Sequence, residues 1–208
     1  MAVASSFSLQ KGMLDLALRH VEPKRGAVLF GEHNIADLHL HQLRDGIVLV
    51  DNSGVLERSI ADNLSLGDPA ISRAAMRSML EVVNLETVVN NLPDGLDTAL
   101  GAFGFPLSRS ETIRLKIAAA LLARPQVLVL TQVFDSLAHH HRRAIVEHIN
   151  RAEDLTFINF SNRRDIASYS EYLYIEPDRH HRFSVVSDLL AFERTLDSEP
   201  GTPARSMP

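Results

Sequence analysis

The sequence contains no cysteine, which excludes disulfide bonds and cysteine-ligated metal sites. Its uninterrupted apolar runs, such as Val127–Leu130, are far too short to cross a bilayer. The first nine residues lack the basic region and the long apolar core of a secretory signal. The formal net charge is −5 and the pI is about 6.0, so no overall field favours nucleic acid or anionic lipid. These absences predict a globular domain of a reducing compartment, placed in the cytoplasm.

What the chain does contain is an alternation of short apolar runs with helix-like segments. Buried strands are predicted at Ile47–Val50, Val127–Leu130, Thr156–Phe160 and Tyr172–Ile175, with a shorter strand at Ala27–Phe30. Helices are expected at Gly12–Val21, Pro69–Asn84, Glu111–Ala123 and His139–Arg151. This alternation predicts an α/β domain with a mainly parallel sheet, interrupted by a helical insertion.

Changes in this rhythm set the predicted domain boundaries. Residues 1–66 and 125–194 form the two parts of the sheet-containing core, and residues 67–124 form the helical subdomain. Residues 195–208 are dominated by Ser, Pro, Gly and small side chains, which predicts a disordered tail.

Several segments resemble, in the same order and spacing, the motifs of ABC-transporter nucleotide-binding domains of the exporter type. Ser59–Pro69 resembles the run after the Q-loop, usually (G/S)-T-I-R-E-N-I-x-x-G-D-P. Leu92–Thr98 resembles L-P-x-G-Y-D-T, which leads into the X-loop, and Ile117–Pro125 resembles I-A-R-A-L-L-R-x-P. Val127–Leu130 matches the hydrophobic strand of Walker B. The matched spacing covers about four-fifths of the chain and implies a P-loop NTPase-like ABC ATPase fold with an inserted helical subdomain.

The phosphate-binding loop departs from this family pattern. Such a loop needs glycines whose backbone N–H groups wrap the phosphates, a lysine, and a hydroxyl that binds Mg²⁺. Aligned without a gap from Glu22-Pro23, Gln10 takes the lysine place and Lys11 the hydroxyl place, whereas a one-residue deletion makes Lys11 the lysine. No glycine precedes either residue. We therefore predict an ordinary loop before a helix, with residual phosphate contact by Lys11 as the alternative.

The Walker B carboxylates are absent as well. Where the family has a metal-ordering aspartate and a water-polarising glutamate, this chain has Thr131 and Gln132, neither of which is anionic. Asp135 lies four residues after Thr131. It is interpreted either as a substitute for the missing carboxylate or as an ordinary loop cap. No catalytic residue is predicted from this region.

The remaining nucleotide motifs are also altered. The signature L-S-G-G-Q is replaced by Leu107-Ser108-Arg109-Ser110-Glu111, whose side chains obstruct a phosphate and whose glutamate repels it. Arg109 is either an anion-binding residue or a surface arginine at a helix start. The Q-loop glutamine falls on Asp51 and the switch histidine on Ser161. The vestigial cofactor-binding positions implied by the resemblance are Gln10, Lys11, Asp51, Ser108, Arg109, Thr131, Gln132 and Ser161.

The histidines of the chain raise the question of a metal site. His139, His140 and His141 are adjacent on a predicted helix and point in different directions, so at most a pair could share a metal ion. A solvated helix face is therefore predicted, and no metal site.

The resemblance implies that two such domains pair head to tail. Each ATP is then held by the phosphate loop and Walker B of one half and by the signature of the other. Because this chain is altered in both, we predict little or no ATP hydrolysis and no bound cofactor, with weak binding of ATP and Mg²⁺ as the alternative. The predicted function is a structural or regulatory pseudo-ATPase module. The alternatives are a divergent ATP-binding domain that still supports transport, and a domain that senses ATP without cleaving it.

The resemblance also implies a partner surface near the Q-loop and X-loop, where the coupling helix of a membrane domain docks. Val55, Leu56, Phe103 and Phe105 are the expected contacts, with packing in the subdomain core as the alternative for the aromatic pair. The expected partners are a transmembrane domain, in the same or a separate chain, and a second ABC domain in a homo- or heterodimer. No nucleic acid is expected, and the expected location is the cytoplasmic face of a membrane.

Overall fold

The computed structural model describes residues 2–4, 7–163, 165, 169–176 and 178–198. The strands are β1 (Ala2–Ala4), β2 (Leu29–Phe30), β3 (His33–Asn34), β4 (Ile47–Val50), β5 (Val127–Leu130), β6 (Thr156–Phe160), β7 (Tyr172–Ile175) and β8 (His180–Phe183). The helices are α1 (Phe7–Ala17), α2 (Leu40–Gly46), α3 (Ile60–Ser65), α4 (Arg73–Val82), α5 (Glu86–Asn90), α6 (Arg109–Leu122), α7 (His139–Ile149) and α8 (Val186–Ser198). In this part of the chain, no helix is long and apolar enough to span a membrane.

A six-stranded sheet forms the core, in the order β4-β5-β6-β1-β7-β8. All neighbours pair in parallel except β7 and β8, which are antiparallel. The strands β2 and β3 form a separate small hairpin. The predicted fold class, α/β with a mainly parallel sheet, is confirmed.

Apolar side chains on both faces of the sheet explain why its strands read as continuous apolar runs. On one face, buried residues of α3, α4, α6 and α7 pack with β5 around Leu128 and Leu130. On the other face, Val129 and Phe160 pack with Leu43 of α2 and with partly buried side chains of α1, such as Leu14. Strands covered on both sides need apolar residues at successive positions, as Val127–Leu130 shows.

The helical part of the domain begins earlier than residue 67. Helix α3 starts at Ile60, after a capping box in which Ser59 and Asp62 satisfy each other's backbone N–H groups. It packs against α6, as α4 does. The structure therefore places α3 with the helical part, whereas the sequence analysis assigned it to the core.

Other differences concern helix limits and short elements. Helix α1 begins at Phe7 and ends at Ala17, because the chain turns at Arg19, whose φ of 53° lies in the left-handed region that ends helices. Strands β1, β3 and β8 and helices α2, α3 and α8 were not predicted. Helix α8 includes residues 195–198, which the sequence analysis assigned to a disordered tail, and residues 199–208 lie outside the described part.

Candidate functional site

Three of the predicted residues lie at one edge of the sheet, where parallel strands end. Asp51, Thr131 and Ser161 directly follow β4, β5 and β6. The strands are in register, and the N–H of Thr131 donates to the carbonyl of Val50 at 3.1 Å. Ligands of open α/β sheets bind in the crevice outside the carboxyl ends of the strands. The structure thus brings these three residues to the edge where a nucleotide would bind.

Lys11 lies on a helix surface. Strand β1 ends at Ala4 and α1 begins at Phe7, so Lys11 is the fifth residue of the helix, inside its second turn. In a phosphate-binding loop the lysine instead closes a run of glycine-spaced loop residues. The Lys11 ammonium donates to the Asp15 carboxylate at 2.5 Å, and its side chain is 66% exposed. This bond lowers the pKa of Asp15. Gln10, the other candidate for the lysine place, is buried.

The signature motif falls on the first turn of α6, where side chains of the same turn already bond to the free backbone N–H groups. The Ser108 hydroxyl accepts from the N–H of Glu111 at 3.4 Å, and the Ser108 N–H donates to the Glu111 carboxylate at 2.7 Å. Burial raises the pKa of Glu111, but the hydrogen bonds from Ser108 outweigh it and leave the pKa below its usual value. A helix N-terminus attracts anions, and here the anion is the carboxylate of Glu111.

Replacing Glu111 by glutamine is expected to destabilise the fold by about 0.5–1 kcal/mol at pH 7, because the carboxylate complements the helix dipole. Since the folded-state pKa of Glu111 is lowered from an ordinary 4.5, its stabilisation is present above pH 4.5 and is lost as pH falls through the folded value. Denaturant unfolding of wild type and Glu111→Gln across this range should show the difference shrinking below pH 4.5. The exposed Glu153→Gln serves as control. A difference that is the same at about pH 3 and about pH 7 contradicts the charge effect.

Two cations of α6 hold the loop that follows β4. Arg109 donates from Nη2 to the Oδ1 of Asn52 at 3.1 Å. Lys116 donates to the carbonyls of Asp51 and Ser53 at 2.7 and 2.8 Å. Burial raises the pKa of Asp51, but hydrogen bonds from Ser53 and the nearby Lys116 lower it overall. Both Arg109 and Asp51 are therefore engaged with neighbouring parts of the same chain.

The segment after β5 carries Asp135, the carboxylate closest in sequence to the Walker B position. Gln132–Ser136 forms a 3₁₀ turn that starts directly after Thr131. The Asp135 carboxylate accepts from the Ser161 hydroxyl at 2.5 Å and from the Asn162 N–H at 2.8 Å. These bonds tie two loops together at the carboxyl edge, which favours the loop-cap interpretation of Asp135.

A buried arginine beside this edge was missed by the sequence analysis. Arg142 of α7 is 1% exposed and donates to the Leu137 carbonyl and to the Asp165 carboxylate. Nearby, the Asn159 amide donates to the Tyr169 hydroxyl at 2.7 Å, and burial raises the pKa of Tyr169. In the sequence, Arg142 stands in a run of histidines and arginines that resembles a solvated helix face. No local signal distinguishes it from its neighbours, because its partners come from other elements.

The histidines at the start of α7 have different surroundings. His139 lies with its Nδ1 3.3 Å from the Asp165 carboxylate, and the rings of His140 and His141 are 3.9 Å apart. Burial, with the nearby charge of Arg114, lowers the pKa of His141 to about 4. Within the described residues, no group of three or more histidine or acidic side chains is arranged to hold a metal ion.

The predicted partner-binding residues are mostly exposed. Phe103 is 95% exposed, Phe105 74% and Leu56 47%. The alternative interpretation of the aromatic pair, as subdomain core, is therefore wrong. Val55 is half-buried against the core and, with Leu56 and Leu66, lines an apolar groove of about 220 Å³.

Two backbone hydrogen bonds join the segment that follows Leu56 to the segment that precedes Phe103. The N–H of Leu100 donates to the Arg58 carbonyl at 2.9 Å, and the N–H of Ile60 donates to the Thr98 carbonyl at 3.0 Å. These two bonds hold residues 58–60 against residues 98–100, which lead to the exposed Phe103 and Phe105. The structure thereby brings residues 55–56 and 103–105 onto connected segments.

Comparison with known proteins agrees with this architecture. The chain is 30% identical over 161 residues to a "Multidrug efflux ATP-binding/permease protein" of Mycobacterium bovis, covering 76% of the chain and 14% of that protein. It is 33% identical over 141 residues to an "ATP-dependent lipid A-core flippase" of Burkholderia orbicola, covering 66% of the chain and 24% of that protein. No family model matches.

A solved structure shows the same fold. A bacterial Atm1-family ABC exporter with ATP bound superposes with a TM-score of 0.83 over 97% of this chain and 37% of its own, at 24% identity. The chain is a nucleotide-binding domain of the ABC exporter type. It spans only about a seventh to a quarter of the length of these curated relatives.

Proposed function

We propose that this chain is a pseudo-ATPase module of an ABC-exporter-type assembly, with a structural or regulatory role and little or no ATP hydrolysis. One observation carries this proposal: six of the eight side chains at the predicted nucleotide positions already have hydrogen-bond partners within the chain. These side chains are Lys11, Asp51, Ser108, Arg109, Thr131 and Ser161. A nucleotide would have to break these bonds before it could form its own, so each lowers the net gain on binding.

The chemistry of hydrolysis lacks its carboxylates as well. Metal-assisted attack of water on a phosphate needs an anionic ligand for Mg²⁺ and a group that orients the water. Thr131 and Gln132 are neutral, so they supply neither an anionic ligand for Mg²⁺ nor a general base for the water, and Asp135 is bonded to Ser161 and Asn162. A missing general base alone costs about 10²–10⁴ in rate.

The surface of the module supports a docking role. Exposed aromatic side chains at Phe103 and Phe105 and the groove beside Leu56 present apolar area to solvent, and large exposed apolar patches mark interaction sites. We infer that a transmembrane domain, in the same or another polypeptide, docks here, which would place the module at the cytoplasmic face of a membrane. Pairing with a second ABC domain is part of this proposal.

The test is equilibrium binding of fluorescent ATP with Mg²⁺, followed by a phosphate-release assay on the same sample. The expected result is a Kd weaker than about 1 mM, corresponding to less than about 4 kcal/mol of binding free energy, and no phosphate release above buffer. An ABC domain with intact motifs is the positive control. The variant Lys11→Ala should behave as wild type.

Each other outcome identifies a different function. Micromolar binding without phosphate release overturns the proposal in favour of a domain that senses ATP. Binding with phosphate release indicates a divergent working ATPase. In either case, a loss of binding in Lys11→Ala would assign residual phosphate contact to that lysine.

A further inference from the structure

The Lys116 side chain is mostly buried and fully hydrogen-bonded, which the sequence around it does not predict. The chain contains three lysines, Lys11, Lys24 and Lys116. The ammonium of Lys116 donates to the Asp51 carbonyl at 2.7 Å, the Ser53 carbonyl at 2.8 Å and the Ser53 hydroxyl at 3.0 Å. An ammonium has three N–H donors, so this cage of three oxygens satisfies all of them. The Asp51 carboxylate lies 3.5 Å from the Lys116 ammonium, and the Lys116 side chain is 15% exposed.

The location of this cage connects the two parts of the domain. Residues 51–59 carry the chain from β4 of the sheet to α3 of the helical part, and α6 leads back to β5. Lys116 and Arg109 both lie on α6, and both donate hydrogen bonds to the segment 51–59. Arg109 does so through Asn52. Charge-assisted hydrogen bonds, which are about twice as strong as neutral ones, therefore join the segment 51–59 to helix α6.

The segment 51–59 also forms one wall of the apolar groove. Val55 and Leu56, which line the groove, lie two and three residues after Ser53, and the Leu56 N–H donates to the Asn63 amide oxygen at 2.8 Å. A loop that is held at both of these points has little freedom to rearrange. A ligand can shift a conformation only as far as it binds two states with different affinity, and here an internal cation already selects one state.

We propose that Lys116 acts as an internal brace that holds the loop after β4, and hence the docking groove, in one conformation without nucleotide. The role of the groove in docking rests on the proposed function, whereas the brace itself is a property of this chain alone. Lys116 is a positioning residue: it acts through the loop at residues 51–53.

Hydrogen exchange measured by mass spectrometry tests the brace. In Lys116→Met, the backbone amides of residues 53–58 should exchange about tenfold faster or more, because opening the loop no longer breaks the ammonium bonds. The exposed Lys24→Met is the matched control and should exchange as wild type. Exchange in Lys116→Met at the wild-type rate overturns the proposal.

Two further measurements keep the test decisive if Lys116→Met does not fold. In Ser53→Ala, an exposed position, the same amides should exchange faster, though by a smaller factor, since one of the three acceptors is lost. In the wild type, an amine-reactive reagent should modify Lys116 at least about tenfold more slowly than Lys11 and Lys24. Equal modification of the three lysines refutes the brace. Binding of ATP in the separate titration would refute the proposed function and leave this result standing.

Discussion

Replacing Arg142 by leucine is expected to lower the free energy of unfolding by about 3–5 kcal/mol, the cost of breaking a buried ion pair by removing one partner. The guanidinium is 1% exposed and holds the Leu137 carbonyl and the Asp165 carboxylate, with the Asp135 carbonyl at 3.4 Å. Leucine fills part of the volume but satisfies none of these acceptors. Because the Asp165 side chain is 39% exposed and can be hydrated in part, we expect the loss to fall toward the lower end of this range.

The neighbouring residue provides a matched control. Arg143 has a 67% exposed side chain and pairs with Glu147 on the surface of α7, so Arg143→Leu should change stability by about 0.5 kcal/mol or less. Urea unfolding of both variants at neutral pH gives the comparison. Equal losses in the two variants would mean that burial of Arg142 contributes nothing beyond an ordinary surface pair.

The parts of the fold that the sequence predicted well are those whose signal is local. Strands β4, β5, β6 and β7 have the predicted limits, because strands that are covered on both faces of the sheet require runs of apolar residues. Ser108 caps α6, and this too is a local signal, since a serine directly before a helical run of apolar residues favours a helix start. The elements that were missed have weaker signals. Strand β1 is three residues long, and β8 reads His-His-Arg-Phe, a polar sequence for an exposed edge strand.

The site was predictable only in part, for a related reason. The family resemblance assigned Asp51, Thr131 and Ser161, and each directly follows an apolar strand of the parallel sheet, so all three lie at the carboxyl ends of the strands. The bonds of Arg142 and Lys116 depend on carbonyl groups of other segments, which no pattern in their own helices shows. A charged residue in a helix is usually solvated, and that expectation fails where tertiary structure supplies acceptors.

A gain of function would show which defect removes nucleotide binding. Ala4→Gly, Leu9→Gly, Gln10→Lys and Lys11→Ser together convert residues 4–11 into G-x-x-x-x-G-K-S, the phosphate-loop pattern. The two glycines restore close backbone approach, and the first turn of α1 must open into a loop. Hydrogen bonds to charged groups contribute about 1.5–3 kcal/mol each, so two new ones should strengthen Mg·ATP binding at least about a hundredfold.

The same variant should release no phosphate, because Thr131 and Gln132 still offer no carboxylate and Glu111 still closes α6. Fluorescent-ATP titration and a phosphate-release assay check the two expectations in one preparation. The matched control replaces Gln10 by methionine and keeps the other three substitutions, so that only the cation differs. If neither the variant nor this control binds ATP, the defect lies in the fold around α1, because each glycine disfavours the helix by only about 1 kcal/mol and the first turn then stays helical. If both bind ATP tightly, backbone N–H groups alone suffice, and the two glycines, with no cation, account for the gain.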